Sequence, residues 1–142
     1  MDANTILSGL FFRGNERALL LRSLEGELAL VFAEDVIEEV YTVLQDSFAE
    51  HPDLPTALRF LETIFEAGEL VARREYRAEV EGWARRMRDH KDAPLAAASV
   101  VAEVDALVTG DKDLLVLKQI GTIPILRTKE LLEHIDGRSK VP

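Results

Sequence analysis

Acidic side chains recur where apolar, strand-like segments of this sequence end, and they are the residues best suited to do chemistry. Four positions share this placement: Asp2, Glu38 or Glu39, Asp92 and Asp111. If the fold gathers them, two carboxylates about 4 Å apart repel by ~4 kcal/mol at an effective dielectric constant of about 20. A divalent cation removes this repulsion because it prefers oxygen ligands, and a metal-bound water can supply the hydroxide that hydrolyses a phosphodiester.

Each of these residues also has a simpler interpretation. Asp92 and Asp111 both precede helical patterns, so either could serve only as a helix N-cap. Glu38 and Glu39 lie in a helical stretch whose glutamates could simply be solvated, and Asp2 could be a terminal residue without a role. The combination of separated acidic segments, rather than any single residue, favours a metal site.

The composition restricts which metal such a site could hold. The chain has no cysteine, and its histidines (His51, His90 and His134) show no ligand spacing. The ligands would therefore be oxygens, which favours Mg²⁺ or Mn²⁺ over Zn²⁺. A net charge of −9 has the wrong sign for an unselective nucleic-acid binder, so the acidic residues either repel nucleic acid or hold a metal.

The length and the apolar segments indicate one cytoplasmic domain. At 142 residues, without repeats or linkers, the chain is predicted to form a single domain over 1–142. The apolar run Ile6–Phe12 is too short to span a membrane and lacks the basic flank of a signal peptide. We therefore expect a protein without a membrane anchor, located in the cytoplasm.

Apolar runs alternate with helical patterns, which predicts an α/β fold with a parallel sheet. Strands are predicted at Leu28–Ala33, Glu69–Arg73, Ala106–Thr109 and Ile123–Leu126. Helices are predicted at Glu16–Ser23, Glu34–Phe48, Pro55–Ala67, Arg77–Arg88, Asp92–Glu103, Asp113–Lys118 and Lys129–His134. Open parallel sheets form their sites at the carboxyl ends of the strands, where the acidic residues are expected.

Four motifs, in this order, resemble those of PIN domains, in particular the small prokaryotic toxins of the VapC type. They are DANTILSG at Asp2–Gly9, VIEEVYTVL at Val36–Leu44, DAPLAAAS at Asp92–Ser99 and ALVTGDKDLL at Ala106–Leu115. The resemblance covers nearly the whole chain. It implies a three-layer α/β/α fold with a central parallel sheet and an endoribonuclease that depends on Mg²⁺ or Mn²⁺.

The resemblance also implies which residues form the site. Its metal ligands would be Asp2, Glu39, Asp92 and Asp111, with Asp113 as a nearby helper. Glu39 is preferred to Glu38 because the family places its glutamate three residues after the first apolar residue of the motif, here Val36. Asn4 and Thr109 would orient the carboxylates through hydrogen bonds.

The sequence departs from the family pattern at its start. In the family the first aspartate ends a central strand, whereas here only Met1 precedes Asp2. We expect this first central strand to be missing, because the true start lies upstream or the chain is truncated. The remaining alternative is a protein that lacks the strand, in which a charged α-amino group beside the carboxylates would compete with metal.

The segment Arg73–Lys91 is the only strongly basic stretch, with seven basic residues against four acidic ones. Its candidate RNA-binding residues are Arg85, Arg86, Arg88 and Lys91, because a basic face beside the acidic site would let phosphates approach. A solvated helix face with mixed ion pairs explains the stretch equally well. Trp83 could stack on a base, but we favour core packing for it.

Partners and competing functions complete the predictions. The family resemblance implies an antitoxin protein as partner and a homodimer. A haloacid-dehalogenase-like phosphatase would use Asp2 as nucleophile, but it needs a second aspartate two residues later, where this chain has Asn4. A PIN scaffold that binds RNA or a protein without cutting is the second alternative, and Mn²⁺-dependent stabilisation or cleavage would separate it from a nuclease.

Overall fold

The computed structural model describes residues 1–137 of the chain and has a mixed α/β architecture, as predicted. Its helices are α1 Ala3–Phe11, α2 Asn15–Leu24, α3 Glu34–Ser47, α4 Leu54–Ala67, α5 Arg73–Ala84, α6 Ala93–Val101, α7 Lys112–Leu115 and α8 Thr128–Ile135. Its strands are β1 Val31–Ala33, β2 Glu69–Val71, β3 Leu107–Val108, β4 Gln119–Ile120 and β5 Ile123–Leu126. A short 3₁₀ turn, His90–Asp92, precedes α6.

The strands form two separate pieces of sheet. In the first piece β1 pairs with β2 in parallel, and in the second β3 pairs with β5 in parallel. Strand β4 pairs with β5 in the antiparallel direction, which gives the order β3-β5-β4. The expected central parallel sheet is therefore interrupted between β1 and β3.

Apolar residues of the predicted strands and of the alanine-rich helix form the core. Phe32 of β1 and Leu107 of β3 are each 1% exposed, as expected for strands covered on both faces. The same expectation is wrong for β2 and β5, where Leu70 is 59% exposed and Pro124 is exposed. Ala96 and Ala97 of α6 are fully buried, because their small side chains let the helix pack closely against its neighbours. This packing fixes the start of α6, and with it Asp92, relative to the sheet.

Most elements differ from the predicted bounds by a few residues; β1 begins at Val31 and not at Leu28, and β2 ends at Val71 because α5 begins at Arg73. Three elements differ more. Helix α1 was not predicted, although it contains most of the motif at Asp2–Gly9, and it buries Ile6 and Leu10. Helix α5 covers Arg73–Ala84 instead of Arg77–Arg88, because the Glu75 side chain accepts a hydrogen bond from the backbone N–H of Ala72 at 2.8 Å and starts the helix early. Strand β4 was missed because Ile120 is its only apolar residue, so it forms no apolar run.

No helix within residues 1–137 is both long and apolar enough to cross a membrane.

Candidate metal centre

Asp2, Thr109 and Asp111 form one hydrogen-bonded unit at the carboxyl end of β3. Thr109 is fully buried, and its backbone N–H donates to the carbonyl of Leu126 at 3.0 Å, beside the end of β5. Its hydroxyl donates to Asp2 Oδ2 at 2.5 Å and accepts from the backbone N–H of Asp111 at 3.0 Å. A single buried threonine thus fixes an acidic residue on each side of it.

Asp2 and Asp111 also act as helix N-caps. Asp2 Oδ1 accepts a hydrogen bond from the backbone N–H of Thr5 at 3.0 Å at the start of α1. Asp111 Oδ1 accepts one from the backbone N–H of Asp113 at 2.9 Å at the start of α7. Each cap uses one carboxylate oxygen, so capping is compatible with binding a cation through the remaining lone pairs.

Asp92 precedes α6, but its carboxylate makes no capping hydrogen bond to that helix. The pKa of Asp92 is raised to about 6. The larger cause is burial, and the second is the negative charge of four neighbouring aspartates, Asp111, Asp89, Asp113 and Asp2. Carboxylates from three segments that are distant in sequence, around Asp2, Asp92 and Asp111, are therefore close enough to influence the charge of Asp92. We call Asp2, Asp92, Asp111 and Asp113 the strand-end group.

The predicted glutamate is not part of this grouping. Glu39 is exposed on α3 and is not among the charges that raise the pKa of Asp92. Glu38, the alternative, is bound by Arg73 Nη2 at 2.6 Å. Within residues 1–137, no three histidine or acidic side chains are arranged to hold one metal ion. Mutual repulsion of unneutralised carboxylates opposes such an arrangement.

A shallow pocket of about 460 Å³ opens beside Asp2 and Asp111 and contains residues that the sequence analysis missed. Ser8 of α1 and Glu16 of α2 line it. Helix α2 reaches this position because Gly9 has no side chain: a Cβ there would lie 2.5 Å from Leu20 Cδ1. Glu16 could not be found from the sequence, since its proximity depends on how α1 and α2 pack.

Asn4 also lines this pocket and is exposed. Within the described residues its side chain makes no hydrogen bond to a carboxylate, in contrast to Thr109. The structure therefore places a carboxylate-orienting hydrogen bond at Thr109 and none at Asn4.

A second acidic group, also missed by the sequence analysis, surrounds Arg73. Its guanidinium contacts Asp35 Oδ1 at 2.8 Å, Glu34 Oε2 at 3.1 Å and Glu38 Oε2 at 2.6 Å. Hydrogen bonds to Glu38 and Asp35 raise the pKa of Arg73 above its usual value. We call Glu34, Asp35, Glu38 and Arg73 the arginine-bound group.

Tyr76 extends the arginine-bound group into the core. Its hydroxyl donates to Asp35 Oδ1 and accepts from the backbone N–H of Asp35 at 3.1 Å. Burial, and next the hydrogen bond to Asp35, raise the pKa of Tyr76 to about 12. These contacts join the start of α3 to the start of α5.

The predicted RNA-binding cations lie on an exposed segment between α5 and α6. They are Arg85, Arg86, Arg88 and Lys91. Arg85 pairs with Glu81 at 2.7 Å, and the guanidinium carbon of Arg86 lies 4.9 Å from the centroid of the Trp83 ring. Trp83 is half-buried and packs against the edge of the core. The predicted core packing of Trp83 is therefore confirmed in part.

Comparison with known proteins identifies a family for this arrangement. A family model described as PIN domain matches residues 1–113. The matched range includes every acidic residue predicted as a ligand, from Asp2 to Asp113. No curated protein and no solved structure matches the chain. The family predicted from the four motifs is thereby confirmed, while the VapC-like subtype stays a prediction.

Proposed function

The chain belongs to the PIN-domain family, and from this premise we propose that it is an endoribonuclease that depends on Mg²⁺ or Mn²⁺. PIN domains are usually nucleases, which supports a hydrolase of phosphodiester bonds. The observation that carries the finer proposal is the position of Asp92, whose pKa is raised by burial and by four neighbouring carboxylates. A site that concentrates negative charge in this way is suited to bind a cation.

The donor chemistry of the strand-end group fits a hard divalent cation. All its side-chain donors are carboxylate oxygens, and no ion pair within 4 Å joins its members to a Lys or Arg side chain among residues 1–137. Asp2, Asp92 and Asp111 would hold the ion, with Asp113 close by. When bound, such an ion makes a coordinated water more acidic and polarises a phosphate oxygen.

The protein's own residues prepare this site in two ways. Thr109 bonds both the Asp2 carboxylate and the backbone N–H of Asp111, so the positions of these two residues are fixed relative to each other. The raised pKa of Asp92, about 6, means that protons compete with a cation for this carboxylate at acidic pH. Glu39 stays in the proposed ligand set on the strength of its motif, and Glu39→Gln tests its membership.

We place RNA contact on the segment between α5 and α6. Arg88 and Lys91 are exposed there and precede Asp92 by four residues and by one residue. A phosphate that they bind would therefore lie close to the strand-end group. Arg88→Gln and Lys91→Gln should each weaken RNA binding and reduce the slope of log affinity against log salt by about 1. An unchanged slope in both variants would place the RNA elsewhere.

The VapC-like motifs support a further step, in which the protein is the toxin of a type II toxin–antitoxin system. It would then form a homodimer and bind an antitoxin protein. Expression of the chain in bacteria should stop growth, whereas expression of Asp111→Asn should not. Light scattering of the purified protein would report the oligomeric state.

The decisive experiment is cleavage of a mixed pool of tRNA and rRNA fragments. Cleavage should require Mn²⁺, stop with EDTA and be lost in Asp111→Asn. Asp46→Asn is the matched control, because Asp46 is exposed on α3 outside both acidic groups and should leave cleavage unchanged. Loss of cleavage in both variants would argue against a specific role for Asp111.

The second candidate function is a PIN scaffold that binds RNA or a protein without cutting. It is favoured by the finding that no three acidic or histidine side chains among residues 1–137 form a ready metal site. Under this alternative Mn²⁺ neither raises the unfolding temperature nor supports cleavage. A Mn²⁺-dependent rise that Asp92→Asn abolishes would exclude it.

A further inference from the structure

One narrow strip of helix α1 leads from the strand-end group to the turn before α2. Between Ala3 and Leu10, only Asn4 and Ser8 reach solvent, and the other residues are buried. Phe12 follows Ser8 at the same spacing of four residues, which places all three side chains on one face of the helix. Within residues 1–137 the side chains of Asn4 and Ser8 make no hydrogen bond, so both are available to a ligand.

The strip opens into the pocket beside the strand-end group. Asn4 and Ser8 line this pocket together with Asp2 and Asp111, and its volume is about 460 Å³. Ligand pockets in proteins measure about 300–1,000 Å³, so the space is sufficient for a nucleotide unit. A nucleic-acid strand with one phosphate at the proposed cation therefore has an open path over Asn4 and Ser8.

Phe12 lies open at the far end of the strip. Its side chain is 65% exposed, whereas the neighbouring Phe11 stacks on Phe48 with ring centroids 4.3 Å apart. The backbone N–H of Phe12 donates to the carbonyl of Ser8 at 2.9 Å, so the backbone is held while the ring is open to solvent. A single exposed apolar side chain is ordinary on a protein surface. The position of Phe12 on a strip that begins at the site, and not its exposure alone, points to a ligand.

Arg13 supplies a cation next to this ring. It is exposed and forms no ion pair with an acidic side chain among residues 1–137. Arg17, in contrast, is placed over the ring of Phe60, 5.1 Å from its centroid. In a chain of net charge −9, an arginine of this kind beside an exposed aromatic ring matches single-stranded nucleic acid, which presents phosphates next to flat bases.

We propose that the strip is a subsite for single-stranded RNA, in which Phe12 stacks on one base and Arg13 contacts a phosphate beside it. Asn4 and Ser8 contact the intervening nucleotides, whose bases face the pocket because Glu16 repels phosphates and accepts hydrogen bonds from base amino groups. Phe12 lies about 12 Å beyond Asn4 at 1.5 Å per residue, which corresponds to about four nucleotides of a stacked strand at 3.4 Å each. The inference rests on the proposed ribonuclease function and names where its substrate is held.

The first experiment measures binding of a short fluorescent RNA to Asp111→Asn, the variant expected to bind RNA without cutting it. Fluorescence anisotropy is recorded for the intact RNA and for copies that each lack one base. Removal of one particular base should weaken binding about tenfold, as expected for the loss of one base–aromatic stack. Adding Phe12→Ala should weaken binding of the intact RNA by a similar factor, and removal of that base should then have no further effect.

Three further substitutions in the same background separate stacking from other contacts. Phe12→Tyr keeps an aromatic ring and should bind RNA as before, whereas Phe12→Leu keeps only the apolar contact and should bind about as weakly as Phe12→Ala. Arg13→Gln should reduce the slope of log affinity against log salt by about 1 and leave the response to the missing base intact. Leu70→Ala is the matched control, because Leu70 of β2 is 59% exposed and lies outside the strip, and it should leave binding unchanged.

Several results would overturn the inference. They are the absence of RNA binding, equal binding with Phe12→Leu or Phe12→Ala, and a response to the missing base that persists in Phe12→Ala. A fall in the molecular mass of Phe12→Ala, measured by light scattering, would assign the residue to a contact between two copies of the chain instead. Failure of the nuclease proposal is recognised separately, as the absence of Mn²⁺-dependent cleavage by the wild type, because binding is measured without cleavage.

Discussion

Two groups of carboxylates in this chain have opposite electrostatic settings. In the arginine-bound group, Arg73 reaches three acidic side chains at 2.6 to 3.1 Å and ties α3 to α5. In the strand-end group, Asp92 has a raised pKa because it is partly buried among other carboxylates. The first group carries its own cation, whereas the second concentrates negative charge without a Lys or Arg ion pair in the described part of the chain.

The contrast separates acidic residues that join two helices from acidic residues that are proposed to bind a metal. An arginine with several carboxylate partners holds two helices together, and its loss leaves like charges side by side. Carboxylates that face one another without a cation lower stability, and such an arrangement is typical of sites that bind a metal. Neutralising one carboxylate should therefore have opposite effects on stability in the two groups.

The largest expected effect comes from a matched pair of substitutions. Asp92→Asn should lower RNA cleavage by more than 100-fold, beyond the roughly 10–100-fold typical of residues that only orient ligands. In metal-free protein at pH 7.5 it should also raise the unfolding temperature, because it removes a partly buried charge. Cleavage assays and thermal unfolding measure the two effects.

Asp35→Asn is the counterpart in the arginine-bound group. It removes the charge that Arg73 Nε contacts at 2.8 Å, so the unfolding temperature should fall by a few degrees while cleavage persists. If both substitutions lowered cleavage equally, or both lowered stability, the distinction between the two groups would be wrong.

The next effect concerns the residue that organises the strand-end group. Thr109→Val keeps the shape of a fully buried side chain but removes the hydroxyl that bonds Asp2 and Asp111. We expect Mn²⁺ affinity or cleavage to fall by about 10–100-fold and stability to fall by about 1–3 kcal/mol. Thr109→Ser retains the hydroxyl and should lose far less, which distinguishes the hydrogen bonds from packing.

Several features of the fold could be predicted because they depend on local sequence. Strand β5 has the predicted bounds Ile123–Leu126, because a short apolar run predicts a strand, although Pro124 is exposed and the strand is not covered on both faces. Helix α6 begins one residue after the predicted start, where Asp92 and Pro94 form a typical helix start. Helix α1 was missed because most of its residues are buried. Its sequence therefore lacks the regular polar face by which a helix at the surface is recognised.

The candidate site divides in the same way. Asp111 was placed at the site because it follows a predicted strand, β3, whereas Asp2 and Asp92 were assigned to it through the motifs of the family. Arg73 and Glu34 are 39 positions apart, so nothing in the local sequence predicts their contact. Glu16 likewise approaches Asp2 only through the packing of α2 on α1.

The pH dependence of metal-free stability should show the charge on Asp92. Burial, and next the neighbouring carboxylates, raise the pKa of Asp92 to about 6 from its ordinary value of 3.8, so the folded state binds the proton more tightly than the unfolded state. This contribution to stability is present below pH 4, is lost as the pH rises through about 6, and is absent above. The unfolding temperature of Asp92→Asn should therefore exceed that of the wild type by a few degrees above pH 6 and match it below pH 4.

The effect of Mn²⁺ on the unfolding temperature at different pH values tests the same carboxylate in a second way. If Asp92 binds Mn²⁺ as proposed, protons compete with the metal for its carboxylate, and the Mn²⁺-dependent rise in unfolding temperature should shrink as the pH falls below 6. Asp35→Asn should keep the wild-type pH dependence of this rise. A rise that does not change between pH 5 and pH 8 would mean that Asp92 is not a ligand.

The smallest expected effect is removal of the cation from the arginine-bound group. Arg73→Gln leaves three acidic side chains without their common partner, so the unfolding temperature should fall by a few degrees in low salt. Added salt should reduce the difference, since it screens the repulsion that remains. Glu38→Gln removes only the most exposed of the three ion pairs and should cost less. Cleavage by both variants should stay near the wild-type rate, because neither Arg73 nor Glu38 belongs to the strand-end group.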